Sequence, residues 1–91
     1  MTKAIIQIER PGRWAKQLGS HLGHKITVEE IPNGVSFTIE GAVGQALASG
    51  ESELTLIANG ESDEAIERMQ NILQKHLLKF AADLNPKIEW L

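Results

Sequence analysis

Histidines are the residues of this sequence best suited to chemistry beyond packing, because the chain has three of them and no cysteine. His21 lies in KQLGSHLGHK and His76 lies in LQKHLLKF, so each stands among leucines near the expected end of a helix. An imidazole there can contact a ligand, transfer a proton, or donate a hydrogen bond to the carbonyl groups that a helix end leaves unpaired. Hydrogen bonding to the helix end is the first interpretation of both residues, ligand contact the second and proton transfer the third.

Neither a metal centre nor a catalytic centre is predicted. Without thiolates, metal ligands can come only from histidines and carboxylates such as Asp83 and Glu89, and no HExxH motif or similar pair is present. Ser20 and His21 are not predicted to act as a nucleophile and its base, since the side chains of adjacent helical residues point in different directions. We therefore predict no catalytic residue, no metal site and no cofactor. The candidate ligand-binding residues are His21, His76, Arg13, Lys25 and Trp14.

Charge is distributed unevenly along the chain. Residues 1–25 contain five basic groups and one acidic group, residues 26–67 contain nine acidic groups and no Lys or Arg, and the remainder is basic again. A net charge of −3 argues against nucleic-acid binding, which depends on many contacts between Lys or Arg and phosphates. The basic groups either complement helix dipoles or form a face for a small anion.

Ninety-one residues with 42% apolar content are typical of one ordinary globular domain, residues 1–91. No apolar run is long enough to span a membrane, and the first residues lead directly into a strand-like segment instead of a signal peptide. We therefore predict a cytoplasmic protein that does not interact with membranes.

Hydrophobic periodicity predicts six strands and two helices. The first helix runs from Pro11 to about Leu22, a left-handed Gly23 ends it, and His21 falls on its apolar face or at the rim of that face. The second helix runs over 63–82, with Ser62 as N-cap, His76 in its apolar stripe, and Asn85-Pro86 beyond its end. The predicted strands cover residues 3–9, 25–31, 35–39, 42–48 and 54–58, with a short last strand around Ile88.

The order of these elements is β-α-β-β-β-β-α-β. Pro32-Asn33-Gly34 predicts a tight hairpin, and four strands in succession predict an antiparallel meander. The fold class is therefore α+β, with a single antiparallel sheet and two helices packed on one face.

A series of short motifs is spread over nearly the whole chain. In order, they are Arg13-Trp14, Leu18, Ser20-His21, Lys25, a hairpin with Phe37 and Gly41, His76-Leu77, Phe80-Ala81 and Trp90. This series resembles the small bacterial family known as domain of unknown function 2218. The resemblance implies an uncharacterised domain, and some members resemble companions of siderophore-interacting flavoproteins in iron acquisition. Many relatives have a cysteine in place of Gly19, so its absence here argues against a thiol-dependent role.

Three hypotheses follow from these observations. The first is a non-catalytic binding or accessory domain for a small anionic ligand or a protein partner, linked by the resemblance to iron–siderophore handling. The second is a structural or interaction domain that forms a homodimer through an edge strand or the open face of its sheet. The third, and least favoured, is an enzyme that uses His21 and His76.

Overall fold

Alternating apolar residues build one antiparallel sheet, and two helices cover one of its faces. The computed structural model describes residues 2–84 and 86–91. The elements are β1 (Thr2–Gln7), α1 (Pro11–Leu22), β2 (Thr27–Ile31), β3 (Gly34–Ile39), β4 (Ala42–Gly50), β5 (Glu53–Gly60) and α2 (Asp63–Phe80). The strand order is β1-β5-β4-β3-β2, with every neighbouring pair antiparallel. The predicted α+β class and meander are therefore confirmed.

The β2–β3 hairpin is the tight turn that the sequence predicts. Ile31 pairs with Gly34, which leaves Pro32 and Asn33 as a two-residue loop. Asn33 has a φ of 67°, in the left-handed region, which asparagine tolerates better than most residues. The turn fixes the register, so that Val35 and Phe37 point toward the helices.

Small residues in the central strand bring α2 close to the sheet. Ala42, Gly44 and Ala46 alternate along the helix-covered side of β4, and all three are buried. A Cβ atom at Gly44 would lie 2.6 Å from the sulfur of Met69. The buried side chains between the sheet and the helices form one cluster, which includes Ile6, Leu18, Phe37, Leu56, Met69, Leu73 and Leu77.

The two helices begin as their sequences predict, but α1 ends differently. Pro11 occupies the first turn of α1, and the Ser62 hydroxyl caps α2 by accepting a hydrogen bond from the Ala65 amide at 3.1 Å. Gly23 was predicted to be left-handed, and this is wrong, since its φ of −59° is right-handed. Helix-like turns continue past it, because the amides of Lys25 and Ile26 both donate to the Leu22 carbonyl. These turns keep Lys25 beside the last turn of α1.

The predicted last strand around Ile88 is not a strand of the sheet, although the chain there runs beside β1. Leu91 and Lys3 exchange two backbone hydrogen bonds, of 2.8 and 3.4 Å. Among the described residues, these two bonds are the backbone link between residues 86–91 and β1, and Trp90 is held by a 3.0 Å hydrogen bond from its Nε1 to Gln74 Oε1. The second helix stops at Phe80, two residues earlier than predicted, and Asn85 of the predicted break lies outside the described residues.

Neither helix in residues 2–84 is both long enough and apolar enough to cross a membrane.

Gly34 provides a test of the hairpin. A Cβ atom there would lie 1.9 Å from the backbone oxygen of Ala46, which cannot move without disturbing β4. We expect Gly34→Ala to lower the free energy of unfolding by about 2–4 kcal/mol in urea denaturation. The matched control is Gly12→Ala, where the nearest atom, on Ala48, is 4.0 Å away. Since alanine is the better helix former, we expect the control to be neutral or to stabilise by up to about 1 kcal/mol. Equal losses for both variants would contradict this account.

Candidate functional site

The fold brings His21 and His76 together. His21 lies in the last turn of α1, His76 lies about one turn before the end of α2, and their ring centroids are 5.2 Å apart with the planes tilted by 54°. The two residues are 55 positions apart in sequence, so only the packing of both helices on the same sheet makes them neighbours. We refer to them as the histidine pair.

The two imidazoles of the pair are held differently. His76 is half-buried, and its Nδ1 lies 2.7 Å from the Ile72 carbonyl oxygen, one turn earlier in the same helix. Because a carbonyl oxygen only accepts, Nδ1 carries the proton, and Nε2 of the neutral ring keeps a free lone pair. His21 is exposed, and its ring nitrogens have no hydrogen-bond partner among residues 2–84 and 86–91. The sequence predicted His21 either on the apolar face of α1 or at the rim of that face, and its exposed ring fits the rim.

Phe80 connects the histidine pair to a groove between the helices. Its ring centroid is 4.9 Å from that of His21 in an edge-to-face arrangement. On its other side, Phe80 lines a cavity of about 480 Å³ together with Arg13 and Trp14 of α1. Trp14 is half-buried, and its Nε1 donates a 2.9 Å hydrogen bond to the Glu9 carbonyl oxygen. We call this cavity and the histidine pair together the interhelical groove.

The interhelical groove contains four of the five candidate residues, and Lys25 adjoins it through its charge on His21. The sequence did not mark Phe80 or Lys79 as site residues, because an aromatic in an apolar stripe and a lysine in a last helical turn both have ordinary structural roles. Lys79 and Phe80 follow His76 by three and four residues, and this spacing in the sequence places them on the same face of the helix.

Comparisons with known proteins give the family and a solved structure of the same fold. The profile of a family described as an uncharacterized protein conserved in bacteria, DUF2218, matches residues 3–91. The chain belongs to this family. The NMR structure of PA4090 from Pseudomonas aeruginosa has the same fold, with a TM-score of 0.84 at 24% sequence identity, over 99% of this chain and 93% of that one. No curated protein sequence matches the chain closely enough to indicate an activity.

In this family member, the charged groups around His21 are all basic. Packing against neighbouring rings removes part of its hydration, and the charges of His76, Lys79, Lys25 and His24 act in the same direction, so the pKa of His21 is lowered from its ordinary value of 6.5. The basic groups come from both sides of the groove, with His76 and Lys79 on α2 and the others just beyond α1. The histidine pair therefore lies in a locally positive field although the whole chain is negative.

The same surroundings bear on metal binding. Among the described residues, no group of three or more His, Asp or Glu side chains is arranged to hold a metal ion. At this point the described residues offer two imidazoles, with no carboxylate beside them to complete a set of three ligands. Any ion bound there would need its remaining ligands from elsewhere.

The lowered pKa of His21 predicts how stability depends on pH. The unfolded chain takes up this proton before the folded protein does, so the contribution of His21 is complete above about pH 6.5 and is lost as the pH falls through the folded pKa. We expect the free energy of unfolding to decrease less on acidification in His21→Gln than in the wild type, as measured by urea denaturation across this range. His24→Gln is the control and should retain most of the acid-dependent loss. Identical pH profiles for the wild type and His21→Gln would contradict the assignment.

Proposed function

We propose that this domain is a non-catalytic binding or accessory module that holds a small anionic ligand at the histidine-pair end of the interhelical groove. The observation that carries the proposal is the 5.2 Å approach of the exposed His21 to His76, with Lys79 in the last turn of α2 and Lys25 in the turns after α1. Each lysine brings an ammonium group to this end of the groove, and a protonated imidazole adds to that charge.

An anion relieves the repulsion among these groups. Like charges held close together by a fold raise its free energy, and a bound negative charge offsets that cost. Binding should therefore draw a proton onto His21, whose pKa the neighbouring cations otherwise lower. The edge-to-face contact between His21 and Phe80 also provides an aromatic surface on which a planar ligand can pack.

Catalysis is not part of the proposal. Proton transfer requires a base, a group that orients it and a place for the reacting atom. His76 is oriented by the Ile72 carbonyl. Its neighbour across the groove is the imidazole of His21, which has basic groups around it. Among the described residues, neither imidazole is paired with a nucleophile.

The resemblance described from the sequence suggests which anion to test first. Ferric complexes of catecholate chelators are anionic, planar in their ligand arms and consistent with a role in iron–siderophore handling. Gallium(III) can replace iron(III) in such complexes and is diamagnetic, so that NMR resonances near the ligand remain visible.

We expect gallium(III) tris-catecholate to shift the ring resonances of His21 and His76 in a saturable manner. The double variant Lys25→Gln/Lys79→Gln should weaken binding about tenfold, because two attractive charges are lost. The matched control Lys16→Gln/Lys75→Gln removes the same number of charges from exposed lysines that do not act on His21. It should change the affinity by less than about twofold. Absence of shifts at high ligand concentration, or equal weakening by both double variants, would contradict the proposal.

A second candidate function is homodimerisation through the face of the sheet that the helices leave uncovered. One row of paired positions across this face runs Ile31, Gly34, Leu47, Thr55 and Ile5. Ile5 is 42% exposed, and Val43 on the same face is 43% exposed. The row that contains Gln45 and Ile57 lies between the row of Val43 and that of Ile5. Exposed apolar side chains on one face are a common feature of interaction surfaces.

Light scattering across a range of concentrations tests the second candidate. If this face forms the interface, the measured mass should rise toward twice the monomer mass, and Ile5→Glu/Val43→Glu should restore the monomer because it would bury charges without partners. The control is Lys75→Glu, a charge change on α2. A monomer at every concentration would contradict the candidate and would leave the anion site unaffected.

A further inference from the structure

We propose that His21 and His76 together ligate a transition-metal ion that arrives in an anionic chelate with two neighbouring coordination positions open. The inference rests on the proposed function in one respect, since the same basic groups attract the chelate. It goes further in assigning a direct bond from each imidazole to the metal.

The first argument is the separation of the rings. An imidazole nitrogen binds zinc or a similar ion at about 2.0–2.1 Å, so two imidazoles on one ion have ring centroids about 4.5–5.2 Å apart for bond angles from about 90° to tetrahedral. The centroids of the histidine pair are 5.2 Å apart. The ring separation of the histidine pair therefore lies at the upper end of the range for two imidazoles on one ion.

The second argument is the orientation of His76. A histidine that binds a metal usually donates its other ring N–H to a carbonyl or carboxylate, which fixes the tautomer and the ring plane. The Nδ1 of His76 makes this bond to the Ile72 carbonyl at 2.7 Å. Its Nε2 is left as the metal-binding atom before any metal is present.

The third argument is the freedom of His21. Its ring is exposed and has no hydrogen bond to a described residue that a metal bond would have to break. Only the neutral ring has the lone pair that a metal needs. One anchored and one adjustable imidazole can adapt to ions of slightly different geometry.

The fourth argument concerns charge and determines the kind of ligand. Lys25 in the turns after α1 and Lys79 in the last turn of α2 add positive charge near His21 and repel a bare dication. The same groups attract a complex in which an anionic chelator outweighs the charge of the metal. Copper(II), nickel(II) and zinc(II) all accept imidazole, and a chelator that fills their other positions supplies the ligands that the protein lacks.

The binding step is a ligand exchange without oxidation or reduction. Two waters leave the metal, the nitrogens of His21 and His76 take their places, and any proton on either ring passes to solvent. Binding should therefore weaken on acidification, because a protonated imidazole has no lone pair for the metal. A chelate whose metal has no open position, such as gallium tris-catecholate, can be held only by charge and stacking.

The test is titration of the folded domain with copper(II) nitrilotriacetate, an anionic complex with open positions, followed by electron spin-echo envelope modulation. We expect two coordinated imidazoles in the wild type and one at most in His21→Ala and in His76→Ala. Loss of one ligand should weaken binding by at least about tenfold. His24→Ala is the matched control for the imidazole count and should retain two imidazoles, with the affinity lowered only by the loss of one basic neighbour of His21. Circular dichroism establishes that each variant is folded, and His21→Gln replaces His21→Ala if the latter is not.

A charge-reversed comparison separates this inference from the proposed function. Lys25→Gln/Lys79→Gln should weaken binding of copper nitrilotriacetate and strengthen binding of free zinc(II), because the repulsion of a bare dication is removed. One imidazole or none in the wild type, or a loss of signal in His24→Ala equal to that in His21→Ala, would overturn the inference. Gallium tris-catecholate binding without a two-imidazole copper signal would overturn the metal bond and leave anion binding intact. A two-imidazole copper signal without binding of gallium tris-catecholate would overturn only the proposed function, in which charge holds the ligand.

Discussion

The close approach of the helices to the sheet is the constraint on which the rest of this structure depends. Gly44 on β4 leaves room for Met69 of α2, and a Cβ atom there would lie 2.6 Å from the Met69 sulfur. On α1, a Cβ atom at Gly19 would lie 3.0 Å from Val35 of β3. A larger side chain at either glycine would require Met69, Val35 or the helix itself to shift, because buried interiors are close-packed. The 5.2 Å between the two imidazoles therefore depends on how closely both helices pack on the sheet.

The basic groups at the histidine pair have a structural role beside the proposed one. His21 lies in the last turn of α1 and Lys79 in the last turn of α2, where the free carbonyl groups of each helix carry partial negative charge. This partial negative charge of the helix ends offsets part of the repulsion among the basic groups, so that several of them can lie close together. The helix dipoles act over about one turn. A ligand bound beyond the helix ends, as proposed, would therefore interact with positive charge that the helix dipoles do not offset.

Local signals predicted the local structure well, and the tertiary arrangement lay beyond them. Asn33 and Ser62 act through hydrogen bonds and dihedral angles within a few residues, so the hairpin and the start of α2 could be read from the chain. Gly23 could not, since its conformation depends on the turns that lead into β2. The histidine pair depends on where two helices end on a common sheet. Helical periodicity assigns each imidazole to a face, but it contains no information on the distance between faces of different helices.

The two ends of the interhelical groove differ in how they can discriminate between ligands. At the histidine pair every charged neighbour of His21 is basic, whereas the cavity beyond Phe80 includes Glu9 and Asp83 as well as Arg10 and Arg13. For the proposed ligand, charge would therefore discriminate more strongly at the first end than at the second, where the volume of about 480 Å³ and the Trp14 ring would favour discrimination by shape. Phe80 lies between these two environments, because its ring contacts His21 and also lines the cavity.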